Sequence, residues 1–188
     1  MNVQWEWNYQ PRAGKWSLSE RKGFLRLYAT KPIKPEDFRR IMLRATNTIT
    51  QRSMRNSSSV VTLKMDVSHL VNEQYAGLTH FSTESISTIG VKMENGQRHL
   101  SFETANRSGN NETGKSINFN GKCVWLRSNW DLQGQNSYFY SLDGKTFESY
   151  GEKTQLMWGS YRGDRIGIFN YNTLEDAGFV DVDWFNYQ

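Results

Sequence analysis

The stretch that decides the fold is Ile-Gly-Val-Lys-Met-Glu-Asn-Gly-Gln-Arg-His-Leu-Ser-Phe-Glu-Thr, residues 89–104. Two runs of partly alternating residues flank Asn95-Gly96, and this dipeptide between two such runs is the strongest short-range signal of a β-hairpin. Asp143-Gly144 lies in the same way between Tyr138–Leu142 and Thr146–Tyr150. Asn120-Gly121 separates Ser116–Phe119 from Cys123–Arg127. The second half of the chain is therefore predicted to consist of hairpins.

The first half of the chain carries β-branched and aromatic runs that predict further strands: Phe24–Tyr28, Leu43–Arg52, Val60–Val67 and Tyr75–Phe81. Only Pro35–Ile41 has the Pro, acids and bases of a short helix. The polar stretch Asn106–Gly114 is predicted to be a mobile loop. About a dozen strands in 188 residues predict an all-β, antiparallel two-sheet β-sandwich or jelly roll, built as a single domain over residues 1–188.

Composition excludes several classes of protein. The net charge is +4, but the 23 basic residues are interspersed with 19 acidic ones, so no nucleic-acid partner is expected. No run approaches the roughly 20 apolar residues of a membrane span, so no membrane partner is expected. The lone Cys123 cannot form an internal disulfide, and the three histidines are scattered. The compartment stays undetermined.

A catalytic function is not indicated by the residues. The sequence has no G-x-S-x-G, P-loop or H-E-x-x-H motif, and a pair of glycosidase carboxylates facing one cleft cannot be read from one sequence. The chain has 7 Trp and 9 Tyr beside many amides. Aromatic rings stack on the apolar faces of sugars while amide and guanidinium groups bond their hydroxyls, although most such aromatics are core residues. This combination favours glycan binding.

The residues also resemble a known family. Gln4-Trp5-Glu6-Trp7-Asn8 resembles the opening of the C-terminal β-sandwich of glycoside hydrolase family 43 β-xylosidases. Eight further stretches continue the resemblance: 16–21, 23–27, 45–52, 75–78, 89–92, 138–144, 166–171 and 178–185. The similarity runs in order along nearly the whole chain. Two departures are Thr46, where the family usually has arginine, and the missing short acidic strand that normally precedes Trp5.

The resemblance implies a concanavalin-like jelly roll that packs against a catalytic propeller, and in certain branches a xylan-binding module. We therefore expect a non-catalytic accessory module, covalently linked to a glycoside hydrolase domain in the full-length protein, that contacts xylan or arabinoxylan. The alternative is a purely structural domain that buttresses the hydrolase and binds no sugar. Exposed aromatics on one face would favour the glycan-binding module, and an apolar patch suited to a protein interface would favour the structural domain.

There are three sets of candidate site residues. The glycan is expected on the strand 43–52, where alternate residues share a face, and on aromatic platforms; the candidates are Trp7, Asn47, Gln51, Arg52, Tyr75, Trp16 and Tyr140. The stretch Thr79–Ser85 is predicted to be a loop through which His80 or Phe81 shapes the hydrolase active site. Jelly rolls of the carbohydrate-binding kind often hold Ca²⁺, and Asp183, with Asp181 two residues before it, is the candidate ligand pair.

Overall fold

The computed structural model describes residues 4–32, 47–106, 109–160 and 163–188, with only the backbone for 110–115. Its strands are β1 Glu6–Trp7, β2 Trp16–Ser17, β3 Leu25–Tyr28, β4 Ile49–Arg52, β5 Ser59–Asp66, β6 Gln74–Phe81, β7 Ser85–Glu94, β8 Gln97–Asn106, β9 Gly109–Asn118, β10 Cys123–Trp130, β11 Gln135–Ser141, β12 Glu148–Ser149, β13 Thr154–Gln155, β14 Arg165–Asn172 and β15 Phe179–Tyr187. None of the described residues forms a helix that could cross a membrane. The predicted helix Pro35–Ile41, and positions 43–46 of the predicted strand, lie outside the described residues.

The strands form two antiparallel sheets, which confirms the predicted sandwich. Sheet A has the order β1-β4-β14-β6-β7-β8-β9, and sheet B has the order β12-β11-β10-β5-β15-β3-β2 with β13 paired to β11. Strand order departs widely from chain order, as in a jelly roll. Apolar side chains from the inner faces of both sheets form the main core, and Leu63, Leu78 and Phe102 are among its fully buried members.

Turn chemistry fixes the first hairpin. Asn95 and Gly96 have φ of 50° and 75°, and Glu94 pairs with Gln97, so the two central residues form the left-handed turn that a tight hairpin requires. The Asp143-Gly144 hairpin between β11 and β12 is also confirmed.

Two sequence predictions about connections are wrong. Asn120-Gly121 does not close a hairpin, because β9 lies in sheet A and β10 in sheet B, and the turn carries the chain across the core. The stretch Asn106–Gly114 is not a loop. Gly109–Asn118 forms β9 and pairs with β8, although residues 107–108 are not described. Polar composition misled here because a strand at the edge of a sheet tolerates polar residues.

Sheet A also carries a second apolar cluster on the face opposite the main core: Tyr75, Phe81, Ile86, Ala105, Phe169 and Tyr171. Every residue of β6 and of β14 is buried, so both faces of these strands are covered. Gly77 and Gly90 pair across this face, and a Cβ on Gly77 would lie 2.2 Å from the Ile89 carbonyl oxygen. This packing leaves no room for a side chain at either glycine.

Candidate functional site

Five loops and both described termini meet at one end of the sandwich. Antiparallel pairing of β4 and β6 with β14 places Arg52, Phe81 and Arg165 side by side. We call this region the loop end; it comprises residues 53–58, 82–84, 131–134, 156–160 and 163–164, with Gln4 and 187–188 beside them. Residues more than a hundred positions apart are therefore neighbours here.

Hydrogen bonds tie these loops to one another. Arg55 donates from Nη2 to the Leu156 carbonyl at 2.8 Å, which joins 53–58 to 156–160. The backbone N–H of Ser160 donates to Thr83 Oγ1 at 2.9 Å. Trp130 Nε1 donates to the Met54 carbonyl at 2.9 Å. The loops thus form one braced surface.

This braced surface exposes large apolar side chains. Four of them are on its loops: Met54 (58% exposed), Leu132 (56%), Met157 (44%) and Trp158 (68%). Gly159 and Gly163, both at positive φ, lie beside Trp158, and a Cβ on Gly163 would lie 3.6 Å from the indole. Exposed apolar groups concentrated on one surface are typical of an interaction site.

A buried polar network lies beneath the loop end. His80 Nδ1 is 3.1 Å from Asp164 Oδ2 and 3.2 Å from Ser53 Oγ, and His80 Nε2 is 2.9 Å from Ser128 Oγ. Ser128 in turn donates to Asn136 Oδ1 at 2.6 Å. Asp164 Oδ1 is buried without a hydrogen-bond partner among the described residues, whereas Oδ2 and both ring nitrogens of His80 are hydrogen-bonded. Buried hydrogen bonds of this kind stiffen the structure around them. The network therefore joins both sheets to the loops 53–58 and 163–164.

A cleft of about 610 Å³ opens beside the loop end, between the sheet A edge formed by β1 and β4 and the end of β15. Most of its lining residues carry polar side chains: Gln4, Glu6, Gln51, Arg52, Met54, Asn56, Tyr187 and Gln188. Tyr187 packs edge-on against Trp130, and its hydroxyl accepts a hydrogen bond from the Met54 N–H at 2.6 Å. Burial raises the pKa of Tyr187 to about 12, so its hydroxyl stays protonated at neutral pH. The contacts with Trp130 and Met54 hold the ring at one wall of the cleft. Two predicted glycan-binding residues, Gln51 and Arg52, come together in this cleft.

The other predicted glycan-binding residues lie outside the lining of this cleft. Trp7 and Trp16 are half-buried and pack on each other at 5.6 Å between ring centroids. Asn47 is buried and donates to the Lys15 carbonyl at 2.7 Å.

The two tyrosines are also packed. Tyr75 is buried in the second cluster with its hydroxyl 3.0 Å from Thr88 Oγ1. Tyr140 is buried, and its hydroxyl donates to Glu148 Oε2 at 2.9 Å. The two tyrosines are therefore buried, and of the four predicted platform residues only Trp7 and Trp16 keep part of their surface exposed.

The predicted loop Thr79–Ser85 is wrong in its bounds. Thr79, His80 and Phe81 end β6, Ser85 starts β7, and only 82–84 form the turn. His80 is 1% exposed and points between the sheets into the polar network, while Phe81 belongs to the second apolar cluster. The sequence suggested a loop because Ser82, Glu84 and Ser85 are typical of turns, and those residues do surround the short turn 82–84. His80 instead stays in the strand because its hydrogen bonds satisfy it inside the core.

The predicted metal ligands each face a cation. Asp181 is buried, and Arg26 and Arg21 donate hydrogen bonds to it. Asp183 lies at an irregularity of β15, where the register shifts, and pairs with Lys64 at 2.7 Å. Among the described residues no group of three or more acids, histidines or cysteines is arranged to hold a metal ion. Calcium binding stays a prediction from the sequence, and the ion pairs of Asp181 with Arg21 and Arg26 and of Asp183 with Lys64 count against it.

Sequence reasoning missed the apolar surface of the loop end. Met54, Leu132 and Trp158 are scattered along the chain, and only the topology brings their loops together. One local signal was available: Leu156-Met157-Trp158-Gly159 is an apolar run outside any strand. Such a run is either core or an interaction surface, and here Leu156 is buried while the next two residues are exposed.

The class that this fold defines is the concanavalin A-like β-sandwich. The chain belongs to the family GH43_C2, the beta-xylosidase C-terminal Concanavalin A-like domain, whose model matches residues 1–188. It is 35% identical over 206 residues to a beta-xylosidase of Formosa agariphila, covering 100% of this chain and 33% of that protein. It is 26% identical over 173 residues to a putative beta-xylosidase of Xylanibacter ruminicola, covering 89% of this chain and 28% of that protein. The chain thus spans about a third of the length of these curated relatives.

Solved structures give the same fold. A bifunctional GH43-CE protein of Bacteroides eggerthii superposes with a TM-score of 0.87 at 27% identity, covering 100% of this chain and 24% of that one. The GH43 protein BlXynB of Bacillus licheniformis superposes with a TM-score of 0.81 at 26% identity, covering 100% of this chain and 37% of that one. The resemblance seen in the sequence is confirmed at the level of the family and the fold.

Proposed function

We propose that this chain is the non-catalytic accessory module of a GH43 glycoside hydrolase and that its loop end packs against the catalytic domain. The observation that carries the proposal is the set of four exposed apolar side chains on the braced loops, Met54, Leu132, Met157 and Trp158. A surface of this kind costs solubility unless a partner covers it. Hydrogen bonds between the loops reduce the ordering entropy that docking would otherwise cost.

The position of the N-terminal strand supports the same contact. β1 pairs antiparallel with β4, so Gln4 lies at the loop end. The family is described as a C-terminal domain, and the relatives are about three times longer than this chain. A catalytic domain that precedes the module would therefore join it beside Met54 and the cleft.

The relatives are named beta-xylosidases, so we propose a xylan-type glycan as the substrate of the whole enzyme. Within that enzyme the loop end would take the role expected of His80 and Phe81, with Trp158 as the side chain offered to the catalytic domain. A Trp placed at the mouth of a sugar site adds apolar contact and selectivity without joining the chemistry.

The test uses the full-length hydrolase with two tryptophan variants. Trp158→Ala should lower the apparent melting temperature of the catalytic domain and reduce kcat/KM on xylo-oligosaccharides, because contact between the domains is lost. Trp184→Ala is the matched control, since Trp184 is 40% exposed on β15 rather than on the loops of that end. The 188-residue chain alone should melt at the same temperature with or without Trp158→Ala, since that side chain is exposed. Equal behaviour of both variants in the full-length enzyme would overturn the proposal.

A further inference from the structure

We propose that Asn120 is a site of spontaneous covalent modification, at which the backbone nitrogen of Gly121 displaces the side-chain amide of Asn120 and leaves an isoaspartate. The chain has two Asn-Gly pairs, Asn95-Gly96 and Asn120-Gly121. All four residues are exposed, so access to water does not distinguish the two pairs. Their backbone conformations do, and they single out the second pair.

The reaction consumes only water. The backbone nitrogen of the following residue loses its proton and attacks Cγ of the asparagine. A new C–N bond closes a cyclic imide, and the Cγ–Nδ2 bond breaks with release of ammonia. Water then opens the imide at either carbonyl carbon, giving aspartate or an isoaspartate whose backbone is longer by one methylene. Glycine is the most favourable following residue because it has no Cβ to hinder the approach.

The hairpin turn protects Asn95. Asn95 and Gly96 have φ of 50° and 75°, and the flanking residues Glu94 and Gln97 pair with each other. In the left-handed region ψ is roughly +30 to +60°, which turns the next backbone nitrogen away from Cβ. The Gly96 nitrogen is therefore held away from the Asn95 side chain, and the imide can close only when the hairpin opens.

No such restraint acts on Asn120. The described residues with positive φ do not include Asn120 or Gly121, and the pair lies between strands, since β9 ends at Asn118 and β10 begins at Cys123. Within the described part of the chain, neither the Asn120 carboxamide nor the Gly121 N–H forms a hydrogen bond. Arg98 Nη2 donates to the Asn120 carbonyl at 3.3 Å, at an exposed position. The Gly121 nitrogen is therefore free to approach the side chain.

The place of this turn in the fold gives the product a consequence. The Phe119 N–H donates to the Arg98 carbonyl at 3.1 Å, and the Val67 N–H donates to the Lys122 carbonyl at 2.8 Å. The Phe119 ring is also buried in the main core. Both sides of the turn are thus anchored, and a longer backbone between them must strain or release an anchor. We expect the isoaspartate form to melt at a lower temperature, whereas the aspartate form keeps its backbone and its melting temperature.

The experiment incubates the 188-residue chain at 37 °C and follows the peptides that carry Asn95 and Asn120 by mass spectrometry. In the folded chain Asn120 should convert about tenfold faster than Asn95 or more, because Asn95 must wait for the hairpin to open. In urea the two should convert at similar rates, since each is followed by glycine. Conversion should be faster at pH 8 than at pH 6, because the attacking nitrogen must lose its proton. Both isoaspartate and aspartate should appear at Asn120.

Two variants separate the causes. Gly121→Ala should slow conversion at Asn120 and leave both the Asn95 rate and the melting temperature of fresh protein unchanged, because a Cβ there meets no atom closer than 3.6 Å. Asn120→Asp supplies the new charge on an ordinary backbone and should melt with the fresh protein. After incubation, the unsubstituted chain should contain a lower-melting fraction that incubated Gly121→Ala lacks.

Equal conversion of Asn95 and Asn120 in the folded chain would overturn the proposal. So would conversion of Asn120 that is much slower in the folded chain than in urea, or aspartate as the sole product, since the imide route gives both acids. Unchanged melting of protein rich in isoaspartate at this position would show that the turn absorbs the longer backbone, against the proposed consequence.

Discussion

Arg26 grips Asp181 with two parallel hydrogen bonds, Nε to Oδ1 at 2.8 Å and Nη2 to Oδ2 at 2.9 Å. The carboxylate is 1% exposed, and a second guanidinium, from Arg21, bridges it to Asp66 at 3.0 and 2.8 Å. Bidentate arginine–carboxylate pairs are the strong class of ion pair. The group therefore clamps β3, β5 and β15 together on the outer face of sheet B.

Acid should weaken the fold through this clamp. Burial alone would raise the pKa of the Asp181 carboxyl, but hydrogen bonds from Arg26 and Arg21 outweigh burial and hold its pKa below the ordinary 3.8. A carboxyl whose pKa is lower in the folded state contributes stability above its unfolded pKa, and that stability is lost as the pH falls through the folded pKa. Urea unfolding at pH 6 and pH 3 should show this loss.

The Asp181→Asn variant should unfold about 2–3 kcal/mol more easily at pH 6 and show a smaller difference between the two pH values, because the buried pair is broken. This loss of stability is at the lower end of the range for a broken buried ion pair, because Arg21 still pairs with Asp66 in the variant. Glu152→Gln, at an exposed position away from this clamp, is the control. An Asp181→Asn protein with an unchanged pH profile would contradict the prediction.

Calcium is expected to leave the melting temperature unchanged. Both carboxylates predicted as ligands face cations, Asp181 the two arginines and Asp183 the ammonium of Lys64. A divalent ion would have to displace these groups before it could bind the oxygens. Melting curves with EDTA and with millimolar CaCl₂ test this, and a rise with calcium that Asp183→Asn abolishes would restore the metal site.

The paired glycines of sheet A should not tolerate a methyl group. A Cβ on Gly77 would lie 2.2 Å from a backbone oxygen of Ile89, which cannot move without opening the β6–β7 ladder. Gly77→Ala should cost about 3 kcal/mol or more in the free energy of unfolding. Gly121→Ala is the control, since the nearest atom to its Cβ is 3.6 Å away. Similar urea midpoints for the two variants would show that the face is looser than its packing implies.

The sequence predicts those features that depend on local geometry. Asn95-Gly96 specifies a hairpin because both residues must adopt positive φ, and few other dipeptides do so easily. The same dipeptide at Asn120-Gly121 also forms a turn, but the strands on its two sides do not pair with each other. They lie in different sheets, which the dipeptide does not determine. Turn residues therefore specify the local change of direction but not the sheet that the next strand joins.

Burial on both faces of β6 explains why Tyr75 is not exposed as the sequence suggested. In a strand with one face toward solvent, apolar and polar residues alternate, and an aromatic residue on the polar face would be exposed. β6 and β14 are covered on both sides, so Tyr75 is buried wherever it points. Gln51 and Arg52 were identifiable because alternation places an amide and a guanidinium at a strand end, but the cleft that unites them needs Tyr187 from the far end of the chain.

Ser128, His80 and Asp164 are expected to be inert despite spacing that resembles a hydrolase triad. His80 Nε2 lies 2.9 Å from Ser128 Oγ, and Nδ1 lies 3.1 Å from Asp164 Oδ2. A nucleophile must be reached by its substrate, and Ser128 is fully buried while His80 is 1% exposed. The isolated chain should therefore release no product above background from p-nitrophenyl acetate, nor from chromogenic xylosides and arabinofuranosides.

Ser128→Ala should instead lower the free energy of unfolding by about 1–2 kcal/mol, because His80 and Asn136 lose a partner, whereas Ser57→Ala at an exposed loop position should not. Ester turnover that disappears in Ser128→Ala, or glycoside turnover that disappears when one carboxylate of this chain is replaced, would contradict the expected absence of catalysis.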